Sequence, residues 1–425
     1  MRRWLAVGGA AIVLLVAAPQ IDASPRRSDR FIVVLTDSVT SPGRTATAHA
    51  ARYHVNVSAV YRSAIRGYAA TVPRAAIAAL RADPLVAYLT PDRRVSTMAQ
   101  GKPTGIRRIG APISSTKAGN GVGSVDVDVA VIDTGVDLDH PDLNVVGGTN
   151  CSAGSTFDDG NGHGTHVAGT IGARDNAIGV VGIAPGARIW SVRVLDNQGS
   201  GSLSSVLCGI DFVDSRSPAN GGPIRVANMS IGGEGADDGA CGSIAGDAVH
   251  AAICRTRSHG VVFVAAAGNA HEDLATQIPA AYDEVLTVTA LADFDGKTGG
   301  SGPATCLVDV DDTVANFSNF AVSGSGDEAH TIAAPGVCIK STWRGGGLRK
   351  ISGTSMATPH VTGSIALCIG SGRCAGLSPQ QIVQKIRTDA AAQPLSYGFA
   401  GDPSRPITEQ GTILFYGHLV YAGGY

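Results

Sequence analysis

The sequence predicts an α/β fold in two parts, a small βαββαβ domain of ferredoxin-like order followed by a larger α/β body. Three observations carry that expectation. Residues 31–90 alternate short apolar runs with two alanine-rich stretches, the pattern of strands exchanging with helices. Beyond residue 124, apolar runs such as 129–132 and 261–265 end in small-residue exits, as buried strands do where they hand over to loops. Finally, 44% apolar residues supply a large core, while 56 glycines and only 16% charged residues, against roughly 25% in ordinary domains, imply a compact body with many tight turns. The same numbers exclude disorder, and 425 residues allow about two or three domains.

Residues 1–23 have the tripartite form of an export signal: Arg2 and Arg3, an apolar stretch over 5–18, then small residues before Ser24. That stretch falls short of the roughly 20 residues needed to span a bilayer, so cleavage after Ala18 or Ala23 and secretion are expected, without a stable membrane span. Export agrees with the cysteines. All eight (Cys151, Cys208, Cys241, Cys254, Cys306, Cys338, Cys368, Cys374) lie beyond residue 150, and an even number in an oxidising compartment points to disulfides. Eight cysteines leave 105 pairings open, with Cys368 and Cys374 the favoured local bridge. No CxxC occurs, which argues against a zinc ribbon.

In the small domain, 31–35, 55–61, 68–72 and 86–90 read as strands, and 45–53 and 74–81 as helices, the second opened by Pro73. Residues 96–103 are polar and patternless, as a linker is. Residues 24–101 carry 11 Arg and 4 Asp, a net +7, whereas residues 102–425 carry 20 basic and 30 acidic side chains, a net −10, so the two parts attract. The arginines are scattered, without a run or an aromatic platform, and no nucleic-acid partner is expected.

In the larger body, a strand from about residue 125 delivers Asp133-Thr134-Gly135 at its C-terminal end, where catalytic groups of α/β sheets gather. The glycine-rich Asp158-Asp159-Gly160-Asn161-Gly162 then precedes His163-Gly164-Thr165-His166-Val167-Ala168-Gly169-Thr170, placing His163 in the first turn of a small-residue helix. His163 and His166 have metal-ligand spacing, but HExxH is missing, so zinc is not expected and His166 reads as structural. Strands over 226–230 and 261–265 exit into Ile231-Gly232-Gly233 and Ala266-Ala267-Gly268-Asn269, and the Asn269 amide can donate to an oxyanion at the same sheet edge. Gly353-Thr354-Ser355-Met356-Ala357-Thr358-Pro359-His360 is a tight turn leading into the apolar run 361–369. A serine at such a helix start has an exposed Oγ beside unpaired N–H groups, and with an imidazole base held by a carboxylate it becomes a nucleophile. Ser355 is the candidate nucleophile, with Asp133 and His163 its partners.

Those four blocks, in the order Asp, His, Asn, Ser, resemble the signature blocks of the subtilisin-like serine proteases, and the resemblance covers about residues 105–425. It implies a parallel sheet flanked by helices. Asp133 would orient His163, His163 act as base and then acid, Ser355 attack, and Asn269 with the Ser355 N–H hold the oxyanion. Gly199-Ser200-Gly201 and Ser230-Ile231-Gly232 would pair with an extended protein or peptide substrate, and their small residues leave a roomy, apolar-tolerant P1 pocket with Gln277 near its base. The preceding domain is similar to the family's propeptide, an intramolecular chaperone and inhibitor. The domain limits expected are 1–23 for the signal, 24–101 for propeptide and linker, and 102–425 for the catalytic domain. Asp142 with Arg174, Asn176, Ile178 and Val180 resembles a structural Ca²⁺ site of subtilisins, built from one carboxylate, one amide and carbonyls. Thr362 departs from the small apolar residue usual at its position, which bears on helix packing.

A helix opened by Ser378-Pro379 and running to about Asp389, and a last strand over 412–425 that leaves no room for an extra domain, complete the expectation. The leading function is that of a secreted, monomeric endopeptidase made as a zymogen. The alternative, a non-catalytic secreted binding protein on the same scaffold, should have lost one of Asp133, His163, Asn269 or Ser355, and none is lost.

Overall fold

The computed structural model describes residues 30–92 and 100–425. The expected export signal and the part of the linker before residue 100 lie outside the described residues. The chain divides into two compact units, Met1–Thr97 and Met98–Tyr425.

The first unit consists of β1 (Arg30–Leu35), α1 (Pro42–Tyr53), β2 (Asn56–Tyr61), β3 (Gly67–Thr71), α2 (Arg74–Arg81) and β4 (Val86–Pro91), the expected βαββαβ order. Its sheet is antiparallel with strand order β2-β3-β1-β4. Alternate residues of β1, Val33 and Leu35, are buried with Tyr68 and Ala70 of β3, Ala46 and Tyr53 of α1 and Leu80 of α2. α1 starts before the expected residue 45 because Pro42 fits a first helical turn, where no N–H is needed.

The second unit is built on β5 (Asp128–Asp133), β6 (Val145–Asn150), α3 (His163–Gly172), β7 (Arg188–Arg193), α4 (Leu203–Asp214), β8 (Ile224–Met229), α5 (Ala248–Ser258), β9 (Val262–Ala266), β10 (Val285–Ala292), the two-residue β11 (Thr313–Val314), β12 (Thr331–Pro335), α6 (Thr354–Gly370) and α7 (Pro379–Ala391). The strands run parallel in the order β6-β7-β5-β8-β9-β10, with β12 parallel to β10 and β11 antiparallel at the end of β10. Both faces are covered, as a parallel sheet requires. Val129 and Val131 of β5 belong to a core shared with α3, α6 and α7, while Ala130 and Ile132 face the opposite way, into a core shared with α4 and α5.

Two boundaries of the second unit depart from the sequence expectation for a visible reason. β5 begins at Asp128 because Val125 is hydrogen-bonded to the Pro185 carbonyl, outside the ladder. The C-terminal run forms a strand only at Thr412–Phe415; Gly417, at φ +79°, turns the chain, and the rest pairs with the sheet at a single Leu419–Ala333 bridge while its side chains pack on the core. α7 carries the expected start, a capping box in which Ser378 and Gln381 satisfy each other's backbone N–H. The disulfides are Cys151–Cys208, Cys241–Cys254, Cys306–Cys338 and the expected Cys368–Cys374, all in the second unit. Among the described residues no helix is long and apolar enough to cross a membrane.

Candidate active site

Asp133 ends β5, between β7 and β8 in the middle of the sheet, and its carboxylate is fully buried. Its Oδ1 accepts hydrogen bonds from the Thr134 N–H (2.7 Å) and from Nδ1 of His163 (2.8 Å), so the ring presents Nε2 away from the acid. His163 can come this close because the next residue is Gly164: a Cβ there would stand 2.1 Å from the Gly135 carbonyl oxygen.

Asp159 builds the loop that leads into α3. Its Oδ1 accepts from the Thr134 hydroxyl (2.9 Å), Asn161 N–H (2.9 Å) and Gly162 N–H (2.8 Å), and its Oδ2 from the Thr165 N–H (3.0 Å) and hydroxyl (2.6 Å). One carboxylate thus ties the Asp133 turn to the His163 helix. Burial opposes a charged His163 ring, but the charge and hydrogen bond of Asp133, with the charge of Asp159, outweigh it and raise the pKa above the ordinary imidazole value. His166 is structural in geometry: its Nε2 faces the Ile339 carbonyl at 2.9 Å, and burial lowers its pKa to about 3.

Ser355 is the second residue of α6, where the N–H groups of the first turn have no intrahelical acceptor. Its Oγ donates to the Ser230 carbonyl at 3.2 Å, and the bond to His163 is not formed in this rotamer. The structure therefore joins Asp133 to His163 and holds the serine hydroxyl on the Ser230 carbonyl instead. Asn269 Oδ1 accepts from the Thr354 N–H (2.8 Å) and hydroxyl (3.0 Å), which fixes the amide and leaves Nδ2 as the outward donor. Asn269 Nδ2 and the Ser355 N both lie 3.7 Å from the point where a Cβ on Gly353 would stand, so the two donors share one small region. Behind them a buried chain runs from the Thr362 hydroxyl to Asn228 (2.8 Å), from Asn228 to the Ser230 hydroxyl (2.9 Å) and from there to the Ser355 carbonyl (2.8 Å). Thr362 thus anchors the back of the serine turn.

A cleft of about 610 Å³ opens beside His163 and is lined by Gly199, Ser200, Gly201, Ser230, Ile231 and Gly232, the six residues expected to meet substrate. Leu195, Val206, Val249 and Ile278 add apolar walls that sequence reasoning missed, since they arrive from four separate segments. Gln277 does not stand free at a pocket base. It lies in a two-residue strand paired with Gly233–Glu234, and its amide donates to Glu272 Oε1 at 3.0 Å.

On another side of the unit, Asp142 is 1% exposed and accepts from Asn176 Nδ2 and the Val180 N–H, both at 2.9 Å. Burial raises its pKa against those two bonds. Asn176 Oδ1 accepts from the Ile178 N–H at 2.7 Å, and Gly179, at φ +61°, passes so near that a Cβ would stand 2.1 Å from Asp142 Oδ2. The carbonyls of Arg174 (2.6 Å) and Val180 (3.5 Å) converge on the side-chain amide of Gln100, a participant the sequence analysis overlooked because it lies more than 70 residues away. A buried carboxylate, two side-chain amides and converging carbonyls make an oxygen-rich set that fits a hard cation.

Residues 124–411 match the subtilase family and residues 30–98 the peptidase inhibitor I9 family. The chain is 39% identical over 290 residues to an alkaline protease of Shouchella clausii, an alignment covering 68% of this chain and 65% of that protein. It is 38% identical over 310 residues to subtilisin E of Bacillus subtilis, covering 72% of this chain and 71% of that protein. A crystal structure of a cold-adapted subtilisin-like serine proteinase superposes with a TM-score of 0.54 at 31% identity, over 77% of this chain and 99% of that one. With the subtilase family matching residues 124–411, more than half of its length, the chain belongs to that family.

Proposed function

We propose that this chain is a secreted serine endopeptidase that hydrolyses peptide bonds through Asp133, His163 and Ser355 and is made as a self-processed zymogen. The observation that carries the reading is the 2.8 Å Asp133–His163 bond, with His163 lining a substrate-sized cleft together with Ser230, whose carbonyl holds the Ser355 hydroxyl at the helix start. In the reaction, Ser355 Oγ leaves the Ser230 carbonyl and gives its proton to His163 Nε2 as it attacks the scissile carbonyl carbon. Asp133 stabilises the resulting imidazolium, and the oxyanion rests on Asn269 Nδ2 and the Ser355 N–H. His163 then protonates the leaving amine, and water repeats the sequence on the acyl-enzyme. The extended substrate lies between the main chains of Gly199-Ser200-Gly201 and Ser230-Ile231-Gly232.

Residues 1–23 are the signal, 24–101 the propeptide with its linker, and 102–425 the mature enzyme. The match to an inhibitor family over residues 30–98 and the opposite net charges, +7 and −10, support residues 31–97 as a charge-steered inhibitor of the mature domain. Asp142, Asn176 and Gln100, with the carbonyls of Arg174, Ile178 and Val180, are the residues that would hold a structural Ca²⁺; bound there, the ion would supply charge neutralisation and order to the loop. Ser355→Ala is the decisive variant: casein hydrolysis should vanish and the propeptide should stay attached in the intact mass. Normal casein turnover by the purified variant would remove the proposal.

A further inference from the structure

The connection from β10 to β11 carries five aspartates that the catalytic reading does not use: Asp293, Asp295, Asp309, Asp311 and Asp312. Three of them, Asp293, Asp295 and Asp311, bring one oxygen each within 4.8 Å of the others. Asp293 is 0% and Asp311 3% exposed, so water screens the first and last of these charges poorly. Asp311 is held in place from both sides, by the Phe294 N–H on Oδ1 (2.6 Å) and the Gly302 N–H on Oδ2 (2.7 Å). Asp293 is not: its Oδ1 accepts one bond, from the Gly296 N–H at 2.9 Å, and its Oδ2 is buried with no hydrogen-bond partner.

An ionised carboxylate is an acceptor only, and a buried acceptor without a donor is costly. Arg108 is engaged elsewhere, with Asp312 Oδ1 at 2.8 Å and the carbonyls of Tyr397 and Gly398 at 2.7 and 3.0 Å. The remaining Asp312 oxygen takes the Gly299 and Gly300 N–H groups. A fully buried acceptor is therefore left over inside a cluster of like charges, and every group of that cluster is a carboxylate.

We propose that Asp293, Asp295 and Asp311 form a calcium site, separate from the Asp142 loop, that fastens the β10–β11 connection. Calcium suits a donor set made only of oxygen, because it accepts six to eight such ligands in flexible geometry, including bidentate carboxylates, carbonyls and water. The Cys306–Cys338 bridge anchors the same connection to the residue before Ile339–Trp343, a strand that pairs antiparallel with Gly347–Ile351, so disulfide and ion would close one loop from two ends.

The test uses the full-length Ser355→Ala chain, which cannot digest itself, and measures bound calcium by elemental analysis and melting temperature in millimolar calcium or excess EDTA. Asp293→Asn should carry one calcium fewer per chain. It should melt several degrees lower than its parent in calcium yet higher in EDTA, because without the ion the substitution removes an unpaired buried charge. Asp295→Asn alters a partly exposed ligand, should fold normally, and should weaken calcium affinity by about tenfold or more; it decides the matter if Asp293→Asn does not fold. Asp142→Asn should lose a different calcium, so that the double variant with Asp293→Asn loses two. A calcium count unchanged in both the Asp293 and Asp295 variants overturns the site, whatever Asp142→Asn does. So does a melting temperature that Asp293→Asn lowers equally with and without calcium, since a mere hydrogen-bonding role behaves that way.

Discussion

Asp159 and Asp293 are both buried aspartates in glycine-rich loops that leave the sheet, and they live in opposite circumstances. Asp159 accepts five hydrogen bonds and organises two segments around itself; Asp293 accepts one and keeps an oxygen bare. The difference teaches that a buried carboxylate reports its task through its donors. Saturated by N–H and O–H groups, it builds backbone geometry and needs no ion. Starved of them among like charges, it has to be neutralised from outside the hydrogen-bond network, the role we propose for a cation at Asp293.

The widest gap between the two should appear in catalysis. Asp133→Asn sets the upper end, with kcat expected to fall about 10⁴-fold as His163 loses its orienting acid. Asp159→Ala, which touches no substrate, should cost about 10²-fold in kcat/KM through misplacement of His163, measured on a peptide anilide. Asp293→Asn should stay within about twofold of the parent in calcium; a loss as large as that of Asp159→Ala would erase the distinction between the two loops.

A finer discriminant is pH. Asp159 contributes negative charge that helps raise the His163 pKa, so Asp159→Asn should lower it and move the acid limb of kcat/KM to lower pH. An unmoved limb with reduced stability would make Asp159 a builder of the turn alone. The smallest effect concerns Thr362: Thr362→Val keeps the volume but leaves the Asn228 amide short of a partner, which should cost about 1–2 kcal/mol in urea unfolding with little change in kcat. A variant as stable as its parent would show that the chain from Thr362 to Ser355 holds nothing in place.

Legibility in the sequence followed the range of the interactions. Asp133, His163, Asn269 and Ser355 each sit at a strand end or helix start whose local pattern announces itself, and the first domain was readable because its helices and strands are set by short apolar periods. Gln100 and Asp159 were missed because an isolated Gln or Asp carries no local signature; only folding brings Gln100 to the Arg174 carbonyl or Asp159 to Thr134. The Asp293 cluster was equally invisible, since Asp311 returns to Asp293 only through the fold of the intervening loop. The C-terminal run misled for a different reason: residues 416–425 are apolar because they pack on the core, not because they extend a sheet.

The four disulfides join cysteines of the second unit to one another and leave none for the first. A single main-chain connection is thus the whole covalent tie between the inhibitor-like first unit and the subtilase unit. While it is intact, that domain is present at an effective concentration on the order of millimolar, and no dilution can lower it. One cut in the linker changes the arithmetic: occupancy then depends on how much free domain the surrounding medium contains. For the secreted zymogen proposed above, that amount would tend to zero in a large extracellular volume, so dispersal alone would make activation a one-way event.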